Sequence, residues 1–226
     1  MRVALGLVAC VLALAPISEA AQPTSRVLWR SVPAGVVTLG TAEGRPDQRP
    51  PHQLRVPALR VMLTEGTVGQ YRACVQAGAC TTPRGHSPAS PEGRRLNWGA
   101  EGRSDHPING IHWAQAAAFC AWAGGRLPTE AEWARAARDR HRRLYPWGDG
   151  PPAPRAPQLA NVADESAAKA NPAWTTVRGY DDGFEGTAPV GSFILGRSPF
   201  GMLDMAGNVW EWTADRYDPE GYRRPK

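Results

Sequence analysis

The stretch from residue 139 to residue 207 limits what this chain can fold into, because it shows neither helical nor strand periodicity. Pro151, Pro152, Pro154 and Pro157 forbid helix there and disfavour sheet. Nine Trp residues and a hydrophobic fraction of 42% still provide enough apolar bulk for a packed core. So long an irregular segment inside a compact domain indicates a functional site, disorder or a stabilising element such as a metal.

Regular elements are predicted mainly ahead of this stretch. The hydrophobic pattern alternates as in strands, and it slips by one residue at Pro57, which indicates a bulge or a strand break. Thr67 and Gln70 form a capping box at the start of one helix, and Thr129 and Glu132 form another. The predicted elements are strands at 36–39, 54–56 and 59–63, and helices at 68–77, at 113–123 and from 130 onward.

A net charge of +5 raises the question of a nucleic-acid partner. Only Lys169 and Lys226 are lysines, so almost all of the 26 basic residues are arginines, which fits the codon usage of a GC-rich genome. The tightest arginine cluster, at 135–143, is better explained by a solvated helix end than by a phosphate-binding face. We therefore expect no nucleic-acid partner.

Residues 1–20 have the organisation of a secretory signal peptide. Arg2 precedes an uncharged apolar run from residue 3 to residue 15, and small residues follow up to Ala20. The run is too short to cross a bilayer as a stable helix. The sequence therefore predicts cleavage after Ala20, export to a periplasm or to the outside of the cell, and a mature protein that is not embedded in a membrane.

Cleavage would remove Cys10 and leave three cysteines in an oxidising compartment, where thiols tend to pair. Cys74 and Cys80 are close enough in the sequence to form a disulfide that closes a small loop at the end of a helix. Cys120 then has no partner in this chain. Either it is a buried unreactive thiol, or its partner is lost or lies in another molecule.

Six oxygen-bearing side chains are set among glycines in and just after the irregular stretch. A hard cation such as calcium takes roughly six to eight oxygen ligands, which loops of this kind can supply. Asn and Asp next to Gly also form ordinary turns, and composition alone favours that interpretation. Glu211, between Trp210 and Trp212, needs a cation or an arginine if it is buried. The six residues are Asn161, Asp164, Asp181, Asp182, Asp204 and Glu211.

Several stretches together resemble the formylglycine-generating enzyme family, also called sulfatase-modifying factors. The resemblance covers residues 30–226, and the order and combination of its motifs are specific. It implies a single α+β domain with the sulfatase-modifying factor fold, related to C-type lectins, with little regular secondary structure and with bound calcium. The motifs are VPAG at 32–35, TVGQY at 67–71, HPIN at 106–109, FCAWAGGRLPTEAEW at 119–133, YPWGD at 145–149, AN at 160–161 and GMLDMAGNVWEW at 201–212.

The resemblance also implies two calcium sites in the acidic loops. Each would combine two side chains with two backbone carbonyls, and every side-chain position here holds a carboxylate or an amide. The resemblance therefore favours calcium over the turn interpretation. The first set is Asn161, Val162, Asp182 and Phe184, and the second set is Asp204, Gly207, Val209 and Glu211, where Val162, Phe184, Gly207 and Val209 contribute their carbonyls.

Active relatives, as the resemblance implies, use oxygen to oxidise a cysteine in a Cys-x-Pro-x-Arg segment of a sulfatase, and two of their own cysteines bind copper(I). That pair follows the motif at 201–212, in a stretch that this sequence does not contain. The sequence therefore predicts an exported, calcium-binding member with no catalytic residues of its own in this chain. Its expected partner is a protein, or an exported protein substrate such as a sulfatase.

Two alternatives stay open. The sequence can be part of an active copper-dependent oxidase whose C-terminal part is missing from it, and Cys120 would then pair with a cysteine of that part. It can also be a non-catalytic lectin-like module that binds a protein partner or helps to mature another exported product.

Overall fold

The computed structural model describes residues 6–8, 10–13, 27–83, 96–139, 143–152 and 158–223. Within them the regular elements are short, and they form an α+β architecture with modest regular structure, as predicted. The strands are β1 (Gly6–Val8), β2 (Val11–Ala13), β3 (Trp29–Val32), β4 (Gly35–Leu39), β5 (His52–Val56), β6 (Leu59–Met62) and β7 (Trp210–Trp212). The helices are α1 (Val68–Gln76), α2 (Trp113–Trp122), α3 (Glu130–Arg138) and α4 (Glu165–Ala170).

The strands form three small sheets within the described residues. β6 lies between β2 and β3 in an antiparallel sheet, and β4 pairs with β5, also antiparallel. β1 lies parallel to β7, with Leu7 opposite Glu211. The break predicted at Pro57 is present, since β5 ends at Val56 and β6 begins at Leu59 in a different sheet. Proline cannot donate to a strand ladder, which explains why the pairing changes there.

Both predicted capping boxes are formed. At the start of α1, the Thr67 hydroxyl accepts from the Gln70 amide at 3.1 Å, and the Gln70 side chain accepts from the Thr67 amide at 3.0 Å. At the start of α3, the Thr129 hydroxyl accepts from the Glu132 amide at 3.2 Å. The Glu132 carboxylate in turn accepts from the Thr129 amide at 2.8 Å. These bonds satisfy amides that a helix start leaves unpaired, so both helices begin where the sequence predicts.

Two groups of buried apolar side chains form the core. The first packs between α1 and α2, where Tyr71 and Phe119 stack with their ring centroids 5.8 Å apart. The second lies between the β4–β5 pair and α3, and it includes Val37, Val56 and Ala136. The described residues up to 139 contain α1, α2 and α3, and we call them the helical half of the molecule. This half is held together mainly by burial of apolar surface.

The N-terminal apolar segment is part of the fold. Cys10 and Val11 are fully buried, and the backbone of Val11 exchanges two hydrogen bonds with Arg126, at 2.7 and 2.8 Å. Cys10 forms a disulfide with Cys120, which corrects the expectation that Cys120 has no partner in this chain. That expectation assumed the removal of Cys10. Cleavage after Ala20, which lies outside the described residues, stays a prediction, and it would remove Cys10, β1 and β2.

The described residues after 139, at 143–152 and 158–223, form the irregular half of the molecule, which still contains some regular structure. α4 lies inside the stretch that the sequence predicts to be irregular. The sequence does not predict this helix because six residues are too few to show a hydrophobic period. The two tryptophans of β7 differ in environment. Trp210 is 75% exposed, whereas the Trp212 indole donates to the Ile111 carbonyl. Pro154 and Pro157 lie outside the described residues. No helix in the described part of the chain is long and apolar enough to span a membrane.

Candidate functional site

The first predicted ligand set converges on the carboxylate of Asp182. Its Oδ2 accepts from the Val162 amide at 2.8 Å and from the Asn161 side-chain amide at 3.2 Å, and its Oδ1 accepts from the Phe184 amide at 2.8 Å. Asp182 is only 2% exposed. The structure therefore brings all four residues of this set together, although 23 positions separate Asn161 from Phe184 in the sequence.

Asp164 and Asp181, which composition also marks as oxygen donors, have other roles. Asp164 is the N-cap of α4, and its second oxygen accepts from the Asp182 amide at 2.5 Å. Asp181 accepts from the Ser166 hydroxyl at 2.6 Å and lies 3.5 Å from Lys169 at the surface. The turn and cap interpretation therefore applies to these two residues. It also explains how the backbone around Asp182 is held.

In the second set, Asp204 is buried and Glu211 is partly buried. Asp204 accepts from the Gly191 amide at 2.5 Å, and Glu211 accepts from the Trp133 indole at 2.5 Å. Burial raises the pKa of Asp204 to about 6. Loss of water, together with repulsion from Asp204, raises the pKa of Glu211 to about 7 against the bond from Trp133. In the first set, burial likewise raises the pKa of Asp182 to about 6.

The loop at 207–209, which would supply two carbonyl ligands, touches the first set directly. The Asn208 amide donates to the Asn161 carbonyl at 2.9 Å. Gly207 has a φ of +91°, and a Cβ there would stand 2.1 Å from the Asn161 oxygen, so only glycine fits. The two candidate cation sites are therefore neighbours that share a contact between their backbones.

Glu65 is a residue of this region that sequence reasoning missed. It lies between β6 and α1, is 2% exposed, and accepts from the Asn208 side chain at 2.8 Å. Burial, and then repulsion from Asp204 and Glu211, raises the pKa of Glu65 well above its ordinary value. The one available signal was an acidic residue in the apolar sequence that joins a strand to a helix. Nothing in the pattern linked it to position 208, which is 143 residues away.

The region concentrates acidic side chains that no described ion pair neutralises. None of the ion pairs in the described part of the chain involves Glu65, Asp182, Asp204 or Glu211. Buried charges need a partner or a metal ion, so these residues fit a hard divalent cation. Among the described residues, no three His, Cys, Asp or Glu side chains are grouped closely enough to hold a metal by themselves. The predicted sets each use two side chains and two carbonyls, and so do not require such a group.

The four cysteines of the sequence form two disulfides. Cys74 pairs with Cys80, the disulfide that the sequence predicts at the end of α1, and Cys10 pairs with Cys120. A copper(I) site needs free thiolates. In this pairing the chain offers none of its own.

Fold and site together define a disulfide-containing α+β domain whose irregular half is organised around buried carboxylates. The model of the sulfatase-modifying factor enzyme 1-like domain matches residues 16–225. The chain therefore belongs to the formylglycine-generating enzyme family, as its motifs predict.

The relatives that resemble this chain include enzymes named for two different activities. A formylglycine-generating enzyme of Bos taurus is 36% identical over 159 residues, which cover 68% of this chain and 38% of the relative. A hercynine oxygenase of Mycolicibacterium smegmatis is 30% identical over 207 residues, covering 82% of this chain and 44% of the relative. The chain thus spans less than half the length of either. The structure of PvdO from Pseudomonas aeruginosa matches with a TM-score of 0.61 at 24% identity, covering 84% of this chain and 71% of PvdO, and it supports the fold alone.

Proposed function

We propose that this chain is a calcium-binding domain of the formylglycine-generating enzyme family that works in an exported protein and does not itself carry out copper-dependent cysteine oxidation. The observation that carries the calcium proposal is the convergence of the predicted ligand residues on buried carboxylates that no described basic side chain neutralises. Bound calcium would supply the missing positive charge and cross-link loops that have little secondary structure.

The expected holders of the ions follow the two predicted sets. Asn161 and Asp182, with the carbonyls of Val162 and Phe184, would hold one ion, and the second set would hold the other. Asp182 is bonded to the amides of the same short segments that would contribute the carbonyl ligands. The proposed carbonyl ligands would therefore come from segments that already contact Asp182.

The calcium proposal is tested by removing the metal. Protein purified in calcium buffer is analysed by elemental mass spectrometry and then melted with and without excess chelator. We expect two calcium ions per chain and a lower melting temperature after chelation, because a ligand that binds only the native state stabilises it. A metal-free preparation with an unchanged melting temperature would reject calcium binding.

The proposal that this chain does not oxidise cysteine rests on its thiols. All four cysteines are paired in the structure, and removal of residues 1–20 would free only Cys120, which is one thiol rather than two. Since the chain spans less than half of the relatives named above, a further segment that brings a cysteine pair is the alternative, and it would make the whole protein an oxidase.

A peptide assay separates these two alternatives. The purified chain is given a Cys-x-Pro-x-Arg peptide with copper(I) and oxygen, and the peptide mass is followed for conversion of the thiol to an aldehyde. We expect no conversion. Conversion that is abolished by a copper(I) chelator would overturn the proposal and assign the oxidase function to this chain. The Bos taurus relative, named for that activity, is the positive control.

We place the protein partner of this domain outside the cytoplasm. Two disulfides agree with an oxidising compartment, either a periplasm or the cell exterior. The partner class that the family name indicates is a sulfatase or another exported protein, recognised as a polypeptide rather than as a small molecule.

A further inference from the structure

Glu65 lies against the loop that carries the two carbonyl ligands of the second candidate calcium site. Its Oε2 accepts from the Asn208 side-chain amide at 2.8 Å, and the Val209 amide also favours its charged form. The Asn208 side chain bonds to Ala188 as well, since its Oδ1 accepts from the Ala188 amide at 3.0 Å. Asn208 itself has a φ of +54°, in the left-handed region that Asn adopts more readily than most residues.

The charge of Glu65 is not needed for these contacts. A neutral glutamine would accept the same bond from Asn208 through its amide oxygen. Yet the sequence has a carboxylate at a position that is only 2% exposed, near two other acidic side chains, and its Oε1 has no hydrogen-bond partner in the described part of the chain. An uncompensated charge on a buried carboxylate destabilises a fold, and a bound divalent cation is one way to compensate it.

We propose that Glu65 is the positioning residue of the second calcium site: it fixes the backbone of Gly207 and Val209 through Asn208, and it adds a third negative charge to those of Asp204 and Glu211. The inference rests on the proposed calcium binding. It goes further by assigning a role in that site to a residue from a distant part of the sequence. It also implies that calcium ties the junction of β6 and α1 to the loop before β7.

A charge role makes a prediction that a simple packing role does not. Glu65→Gln keeps the shape and the acceptor but removes the charge. The calcium-free variant should therefore melt at a temperature equal to or above that of the calcium-free wild type. One of its two calcium sites should bind at least tenfold more weakly. Opposite effects on the two forms distinguish a charge that serves the cation from a side chain that merely fills space.

Three proteins are compared by calorimetric titration of calcium into chelator-treated full chain: wild type, Glu65→Gln and Glu132→Gln. Glu132 is the matched control, a buried glutamate (6% exposed) whose partner is Arg126. Its substitution should lower stability with and without calcium and leave both affinities unchanged. Terbium emission excited through tryptophan provides a second readout, because Trp133 is bonded to Glu211, and Glu65→Gln should weaken the terbium titration.

Each outcome bears on a different claim. If the wild type binds no calcium, the proposed function fails and the role of Glu65 fails with it. If the wild type binds two ions and Glu65→Gln binds both with unchanged affinity, only the role of Glu65 is overturned. If Glu65→Gln does not fold, Asn208→Gly decides, since it tolerates the left-handed backbone but releases Glu65. Unchanged affinity at both sites in that variant also overturns the role, and weakened affinity at one site supports it.

Discussion

Glu132 and Trp133 are neighbours in α3, and they show how differently the two halves of the molecule accommodate a carboxylate. Glu132 belongs to the helical half, where Arg126 donates to both of its oxygens, at 2.7 and 2.8 Å. Trp133 faces the irregular half and donates to Glu211, whose charge has no described ion-pair partner. The helical half neutralises its own acid, whereas in the irregular half no described basic side chain pairs with Glu211.

The pKa values follow this difference. Burial acts to raise the pKa of Glu132, but the bonds from Arg126 and the Thr129 amide outweigh it, so the pKa lies below its ordinary value. For Glu211, loss of water raises the pKa to about 7, and one bond from an indole does not offset it. A carboxylate with a built-in cation is stable in the charged form, and one without it is not.

The largest expected effect comes from removing one ligand of each candidate site. Asp182→Ala and Asp204→Ala should each lose one calcium ion and, at a free calcium concentration of about 100 times Kd, about 2.7 kcal/mol of calcium-dependent stability. Calcium content and chemical unfolding with and without chelator measure this. Variants that retain two ions would contradict the assignment of the sites.

The pH dependence of stability should have opposite signs in the two halves. A raised pKa in the folded state means stability that is present at low pH and is lost as the pH rises through about 6 to 7, as for Asp182 and Glu211. The calcium-free protein should therefore melt several degrees higher at pH 5 than at pH 8. Saturating calcium should remove or reverse this difference, because calcium competes with protons for the carboxylates.

Melting temperatures measured at acidic pH report on Glu132. Its lowered pKa contributes stability that is present above the ordinary glutamate value and is lost as the pH falls through the folded value. The difference in melting temperature between wild type and Glu132→Gln should therefore begin to shrink below about pH 4, the region of the ordinary carboxyl pKa. A constant difference between them down to pH 3 would disagree with this assignment.

A smaller effect is expected from Arg126→Ala, which breaks the self-neutralised pair in the helical half. Removing the partner of a mostly buried carboxylate is destabilising, but half of the Arg126 side chain is exposed, so we expect about 1 to 2 kcal/mol. The loss should be the same with calcium and with chelator. A calcium-dependent loss in urea unfolding would mean that the two halves are coupled more closely than the contacts indicate.

The smallest expected effect is that of Thr129→Ala, which removes one half of the capping box of α3. Loss of an N-cap hydroxyl costs about 1 kcal/mol. Because α3 also carries Trp133, the variant tests whether fraying of this helix reaches Glu211. Calcium affinity should not change, and Thr129→Ser should restore the stability.

The sequence alone determined the elements whose signals are local. Capping boxes lie within three residues, so Thr67 and Thr129 marked the starts of α1 and α3, and the slip at Pro57 marked a strand break. Motif order identified the family. The inferences about the caps, the strand break and the family succeeded because their physical causes act over a few residues or are repeated across a family. The calcium-ligand positions stay a prediction, although the residues of the first set do lie around Asp182.

Only the tertiary structure decided the remaining features, because they depend on contacts between distant residues. The Cys10–Cys120 disulfide joins positions 110 apart, and the bond from Asn208 to Glu65 joins positions 143 apart. Whether an acidic side chain is a turn former, a helix cap or a buried charge depends on its hydrogen-bond partners and on how much contact with water it loses. Both are set by packing. Asp164, Asp182 and Glu65 are one chemical type in the sequence and perform three different tasks in the fold.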